Sequence, residues 1–306
     1  MTRRLNWFLL IMLLLVGLPF YWLLIDNRPG DAPVKPVTIT QLRQLAASQP
    51  GTAPSAVEVE LVGWRRLPGN LFVAGSGIKR KLIGVMAWRL PVEGGKAVMI
   101  DSGLTRSDAA AMEMEAYLPD IQARVTQGLA KAGLVLITHE HPDHQGALVA
   151  MGGAPLMQNA SLNPAQLPAA PLAASLPWPK GASPLARIGG GAPQAVAPGI
   201  VVIPAPSHTP GSQMIYVRLS DGKEFLFAGD IATFAQSWQE TRARSRLVGD
   251  HLAKEDRREV YSWLRTIAAL KQQAPALVVL PGHDAEWIRD PEHKVPVRHG
   301  FSPERI

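Results

Sequence analysis

Three hydrophobic patterns follow one another along the 306-residue chain. The first is an unbroken apolar run at residues 5–25, which carries no charge and follows Arg3 and Arg4. A helix of about 21 residues rises roughly 31 Å, close to the thickness of a bilayer's hydrocarbon layer. Phe20, Tyr21 and Trp22 sit at its far end, where an interfacial aromatic belt belongs. The second pattern is a series of short apolar runs at 57–64, 82–90, 97–100, 134–138, 200–203, 214–219, 224–228 and 276–280. These read as strands. The third is helical spacing. Val260, Trp263, Leu264, Ile267 and Leu270 form one stripe of a helix over 257–271, and further helix is predicted over 107–132 and 38–48. Strands mixed with helices, without an internal repeat, predict an α/β fold.

Composition divides the chain further. Residues 26–37, D-N-R-P-G-D-A-P-V-K-P-V, read as a Pro-rich linker leaving the apolar run. Residues 151–199 hold nine Pro and seven Gly but only two charges, Lys180 and Arg187. A segment this long and irregular inside a domain is functional or disordered. Its Leu, Ala, Met and Trp178 argue against disorder, leaving an apolar cover near the functional site or a meandering surface insertion. The organisation predicted is a membrane anchor at 1–25, a linker and short helix at 26–56, and one catalytic domain at 57–306 that contains the 151–199 insertion. The positive flank predicts a cytoplasmic amino terminus and an extracytoplasmic domain, periplasmic in a Gram-negative cell. A cleaved signal peptide is the rival, but the run is long for one and no small-x-small site follows it. The chain has no Cys, which removes disulfides and thiolate ligands. A net charge of +6 suits an anionic membrane surface or a mildly basic solvated face, and nucleic acid is not the expected partner.

The chemistry is concentrated in one stretch. From Thr138 to Leu148 the chain reads T-H-E-H-P-D-H-Q-G-A-L, which places His139, His141, Asp143 and His144 within six residues. None of the chain's eight His precedes His139. His208 follows in S-H-T-P-G-S, Asp230 in F-L-F-A-G-D and His283 in P-G-H-D, each just after an apolar run. Five His and two Asp in such places suggest a two-metal site. His251, His293 and His299 lie outside these motifs and read as surface residues.

The ordered set His139-x-His141-x-Asp143-His144, His208, Asp230 and His283, with Asp101 earlier in V-M-I-D-S-G, resembles the metallo-β-lactamase superfamily over roughly 57–285. The resemblance implies a four-layer αββα sandwich with the metals at one edge of its two sheets, here preceded by a transmembrane helix. It implies His139, His141 and His208 at one metal, and Asp143, His144 and His283 at the other. Asp230 would bridge the two, and Asp101 would hold the cluster's loop from behind. Glu140 is given no catalytic part. Zinc suits this donor set, and without sulfur ligands iron or manganese are acceptable too. Two such ions about 3.5–4 Å apart share a hydroxide and lower its pKa toward neutrality. Asp143 could also handle a proton as the tetrahedral intermediate collapses.

Within that superfamily the motif set is most similar to glyoxalase II and the N-acyl-homoserine lactonases. True β-lactamases lack a bridging Asp at the position of Asp230. The carboxyl-terminal tail does not match the basic glutathione-gripping residues of glyoxalase II. Lactonases carry a Tyr soon after the bridging Asp, where this chain has Thr233 and Phe234; Thr233 could donate a weaker hydrogen bond. Arg242, Arg244 and Arg246 alternate in the following loop and read either as contacts for a carboxylate or phosphate or as a solvated basic face. The expectation is a membrane-anchored metal-dependent hydrolase of an ester-like bond, a lactone first, acting on an apolar or acylated small molecule. A phosphodiesterase or thioesterase on the same site is the alternative, and a non-catalytic metal-loaded binding protein is the reading from another class.

Overall fold

The structure, a computed structural model, describes residues 2–28, 30–182 and 184–303. Two sheets carry the architecture. Strands β1 (Glu58–Pro68), β2 (Arg80–Leu90), β3 (Val98–Ile100), β4 (Ala116–Tyr117), β5 (Leu134–Leu136) and β6 (Ala160–Ser161) belong to the first. Strands β7 (Gln194–Ala197), β8 (Ile200–Pro204), β9 (Gln213–Arg218), β10 (Glu224–Gly229) and β11 (Val278–Pro281) form the second, and β12 (Arg298–His299) returns to the first. The strand orders are β12-β1-β2-β3-β5-β6, with β4 on β1, and β11-β10-β9-β8-β7.

Period-2 alternation places the layers. Along β8, Ile200 and Val202 enter the core between the sheets, while Val201 and Ile203 enter the core beneath the helix Arg257–Gln273. The same alternation holds in β9 (Ile215 and Val217 against Met214 and Tyr216) and β10 (Phe225 and Phe227 against Leu226 and Ala228). The first sheet contributes Val59, Leu61, Met86, Trp88, Ile100 and Leu136 to the shared core. Its outer face packs Met99, Val135 and Ile137 on Val125, Leu129 and Leu148 of the helices Pro119–Lys131 and Pro142–Met151. The layers therefore run helix, sheet, sheet, helix, the predicted αββα sandwich.

Helix predicted across 107–132 is broken. It forms as Arg106–Ala111 and Pro119–Lys131, with β4 between them pairing Ala116 and Tyr117 to Trp64 and Gly63. Pro119 opens the second helix and disfavours helical backbone at Leu118, which forces the restart. Gly63 leaves room for β4, since a Cβ there would lie 2.7 Å from the Ala116 carbonyl oxygen.

The amino-terminal helix runs Arg3–Ile25, with a mean hydropathy of 2.6, and is long and apolar enough to cross a membrane. Residues beyond it are laid against the domain. The Lys35 amide donates to Thr266 Oγ1 at 2.9 Å, and Lys35 pairs with Glu259 at 2.6 Å. The helix Ile39–Ser48 is capped by Thr38 and buries Ile39, Leu42 and Ala46 against the second sheet's outer core. The 151–199 region packs Leu156, Leu162 and Trp178 onto the first sheet's helical layer. Gln166 pins it beside the functional loops, donating to the carbonyls of Ile137 at 2.9 Å and Gly211 at 3.1 Å.

Candidate metal centre

The functional side chains sit where strands end at one edge of the sandwich: Asp101 after β3, the His139 cluster after β5, His208 after β8, Asp230 after β10 and His283 after β11. An extended strand delivers its last residue to a fixed point, and the loop beyond it can aim side chains across the edge. Pro142 opens the helix that carries Asp143 and His144, with His141 as its N-cap residue. Cluster and helix start are thus one turn.

Two groups of donor atoms converge, His139, His141, His208 and Asp230 in one and Asp143, His144 and His283 in the other. Within each, the atoms lie within 4.8 Å of one another. Asp230 faces both. Its Oδ2 lies 3.6 Å from His208 Nε2 and 3.9 Å from His139 Nε2, and its Oδ1 lies 2.8 Å from His283 Nε2 and 3.6 Å from His144 Nε2. Asp230 is buried, and Oδ1 has no partner in hydrogen-bonding geometry among the described residues.

The tautomers follow from what lies behind each ring. His144 Nδ1 meets Asp101 Oδ2 at 2.8 Å, and His283 Nδ1 meets the Gly84 carbonyl at 2.8 Å. Both acceptors fix a proton on Nδ1 and turn the two Nε2 atoms toward each other at 3.3 Å. His208 Nδ1 lies between Glu255 Oε2 at 3.0 Å and Arg244 Nη1 at 2.6 Å, and its Nε2 turns toward Asp230. Ring nitrogens converging in this way beside a carboxylate form a donor set that a metal ion fits. Imidazole and carboxylate oxygen without thiolate fit zinc, iron or manganese. Burial lowers the pKa of His139, His141 and His208, with neighbouring His or Arg244 adding to the effect, so these rings are held as neutral donors. Burial opposes a charge on His144 too, but Asp101 and Asp143 outweigh it and push that ring up to about 10.

Asp101 is buried with φ of +58°, a backbone region uncommon outside glycine. Its Oδ1 accepts from the Thr138 amide at 2.7 Å, and the Thr138 hydroxyl reaches Oδ1 and Oδ2 at 3.0 and 2.9 Å. It therefore fastens the residue before the cluster while orienting His144. Glu140 turns away from the donors and accepts from Thr209 Oγ1 at 2.7 Å and the Gly211 amide at 3.0 Å, tying the cluster's turn to the His208 loop.

Of the three alternating arginines, Arg244 alone reaches the donors. Its Nη2 donates to Asp230 Oδ2 at 2.6 Å and Thr233 Oγ1 at 3.1 Å, and its Nη1 lies 2.6 Å from His208 Nδ1. Thr233 is buried and engaged with that guanidinium. Arg242 turns to Glu240 at 2.7 Å and the Ala74 carbonyl at 2.8 Å. Arg246 turns to Asp26. His251, His293 and His299 are exposed.

Glu255 was not legible in the sequence. It lies in the charged run K-E-D-R before a helix, a setting that reads as a solvated cap. The fold buries its side chain behind His208, and burial raises its carboxyl to about 7. Phe72, whose ring lies 5.9 Å from the Arg244 guanidinium and 6.3 Å from Phe234, gave no signal either.

The family model described as the metallo-beta-lactamase superfamily matches residues 87–283, a span that holds every one of these donors. The chain belongs to the metallo-β-lactamase superfamily. It is accordingly a metal-dependent hydrolase. No curated protein matches it by sequence. Solved structures similar in fold include a quorum-quenching N-acyl homoserine lactone lactonase, with a TM-score of 0.61 and 15% identity, covering 78% of this chain and 95% of that one. Another is an N-acyl homoserine lactone hydrolase with the product N-hexanoyl-L-homoserine bound at its catalytic metal centre. It has a TM-score of 0.58 and 15% identity, covering 77% and 95% of the two chains. A third is a probable metal-dependent hydrolase from Staphylococcus aureus, with a TM-score of 0.54 and 14% identity, covering 76% and 91%.

Proposed function

We propose that this member of the superfamily is a membrane-anchored hydrolase of an ester-like bond that works with two metal ions. One observation carries the two-metal reading: the two oxygens of Asp230 face two separate donor groups. His139, His141 and His208 would hold one ion, and Asp143, His144 and His283 the other, with Asp230 shared and Asp101 and Glu255 orienting His144 and His208. Zinc is the ion the donor set favours, with iron or manganese as substitutes. Ions bound there supply Lewis acidity and lower the pKa of the attacking water.

The remaining work falls to side chains. Arg244 is placed to bind an oxygen of the substrate, held by Thr233 and Asp230. Asp143, with Oδ2 3.6 Å from His283 Nε2, is placed to carry a proton at the second group. Residues 1–25 serve as the anchor, 26–56 as its connection and 57–306 as the catalytic domain, with the amino terminus cytoplasmic. A small acylated lactone is the first substrate to test, because lactone hydrolases are among the similar folds and the charge-poor 151–199 segment borders the His208 loop. A phosphate diester is the second, since a guanidinium receives phosphate as readily as carboxylate.

The test uses the full chain in detergent, zinc-loaded, with proton release followed on an acyl-homoserine lactone. Turnover abolished by a chelator and restored by zinc is the expected result. Asp230→Asn should cost more than the roughly 10–100-fold typical of losing a ligand's outer partner. Normal metal content and normal rates in that variant would overturn the shared-ligand assignment. Turnover of phosphodiesters or thioesters, but not of lactones, would move the substrate class and leave the site standing.

A further inference from the structure

Arg244 lies in the loop at residues 241–246, and both flanks of that loop are tied to the end of the amino-terminal helix. On one side, Arg246 donates to Asp26 Oδ2 from Nε at 3.1 Å and Nη2 at 2.9 Å, and its guanidinium stacks 4.0 Å from the Trp22 ring. Asp26 is 2% exposed. On the other side, Asn27 Nδ2 donates to the Thr241 carbonyl at 3.1 Å, and its Oδ1 accepts from Tyr261 Oη at 2.7 Å. Thr241 has φ of +52°, an outlier for a β-branched residue that persists only where its surroundings hold it.

A third element completes the clamp. The Gly75 amide donates to the Leu24 carbonyl at 2.9 Å, the Ala74 amide to the Ala243 carbonyl at 2.9 Å and the Ser245 amide to the Leu71 carbonyl at 3.0 Å. Gly75 has φ of +75°, and a Cβ there would lie 2.9 Å from Arg242 Nη1 and 3.2 Å from the Ile25 carbonyl oxygen. Helix end, 71–75 segment and Arg244 loop are thus packed to glycine tolerance. Connecting loops are ordinarily the mobile parts of a domain. This one is held at both ends by residues that a solubilising truncation would remove.

Arg244 itself has donor capacity to spare. It is buried, and its Nε has no partner among the described residues. A planar guanidinium offering further N–H groups beside a metal centre matches a carboxylate or phosphate.

We propose that residues 22–27 form a positioning element of the active site. Through Asp26 on Arg246 and Asn27 on Thr241, they hold Arg244 to receive an acidic group of an acylated substrate. This rests on Arg244 facing substrate, as in the proposed function. Anchor and catalysis are then one unit, and Asp26 acts at a distance through Arg244.

The test uses the full-length, zinc-loaded chain in detergent and two esters that differ only in a free carboxylate against its neutral amide. Arg244→Met should lower the preference for the acidic ester over the amide, read as the ratio of their kcat/KM values, about tenfold, beyond whatever both esters lose through its contact with Asp230. Asp26→Ala should do the same with zinc content intact, and Asp26→Ala in the Arg244→Met background should add nothing. Asn27→Ala, a milder change, should reproduce a smaller part of the effect if Asp26→Ala folds poorly. Equal losses on both esters that add to those of Arg244→Met would overturn the proposal, leaving residues 22–27 a merely structural role. So would an unchanged preference in both Asp26→Ala and Asn27→Ala. If Arg244→Met itself leaves the preference unchanged, the substrate-facing assignment of Arg244 falls as well, while chelator-sensitive turnover still supports the metal site.

Discussion

Single atoms set the limits at the metal centre. Gly282 precedes His283, and a Cβ on it would lie 2.5 Å from Asp230 Oδ1 and 2.8 Å from the Gly229 carbonyl. Neither neighbour can retreat cheaply, because Asp230 is buried among the imidazoles and Gly229 sits at φ of +52° where β10 ends. Gly282→Ala should therefore displace the Asp230 carboxylate. We expect weaker metal retention, by roughly 10–100-fold, and an overpacking cost of about 1–3 kcal/mol. Metal stoichiometry after dialysis checks this, and full retention would show that Oδ1 is not where the donors need it. The convergence of these donor side chains was legible in the sequence because H-x-H-x-D-H confines four of them to one turn. Glu255 was not, because a carboxylate's burial behind a ring depends on which loop folds over it.

The strands work as two-faced elements. Phe227 in β10 meets Trp88 of β2 edge-on, with ring centroids 5.2 Å apart, across the space between the sheets. Leu226 and Ala228 beside it face the opposite core. Phe227→Ala should cost about 3–5 kcal/mol of stability and loosen the strand that presents Asp230. Chemical denaturation of the metal-free and metal-loaded forms checks it, and a loss below about 1 kcal/mol would mean that the sheets close over the gap. The long strands were readable because each repeats two apolar faces. The two-residue strands β4, β6 and β12 were not, because a pattern needs length and their pairing is set by partners distant in sequence. The helix break at 112–118 was masked by apolar residues that suit either conformation.

At the scale of the whole molecule, the helix Arg3–Ile25 leaves its apolar side chains largely exposed, and the residues at its foot are bonded to the sandwich. Apolar surface of that extent is stable in lipid and not in water. The chain should sediment with membranes, resist alkaline extraction and keep its amino terminus, as read by mass spectrometry of the membrane fraction. A mature terminus beyond residue 26 would mean cleavage, and would remove Asp26 from Arg246.

The sequence by itself determined the family, the sandwich's longer strands, the apolar helix and the seven donor residues. Each depends on local periodicity or on donors packed into short motifs. Tertiary structure alone decided which of Arg242, Arg244 and Arg246 meets the metal centre, what stands behind each imidazole, and that Asp26, Asn27 and Lys35 lie on the domain. Those are questions of which surfaces meet. Nothing in the spacing of three alternating arginines distinguishes them until Asp26, Glu240 and Asp230 each claim one.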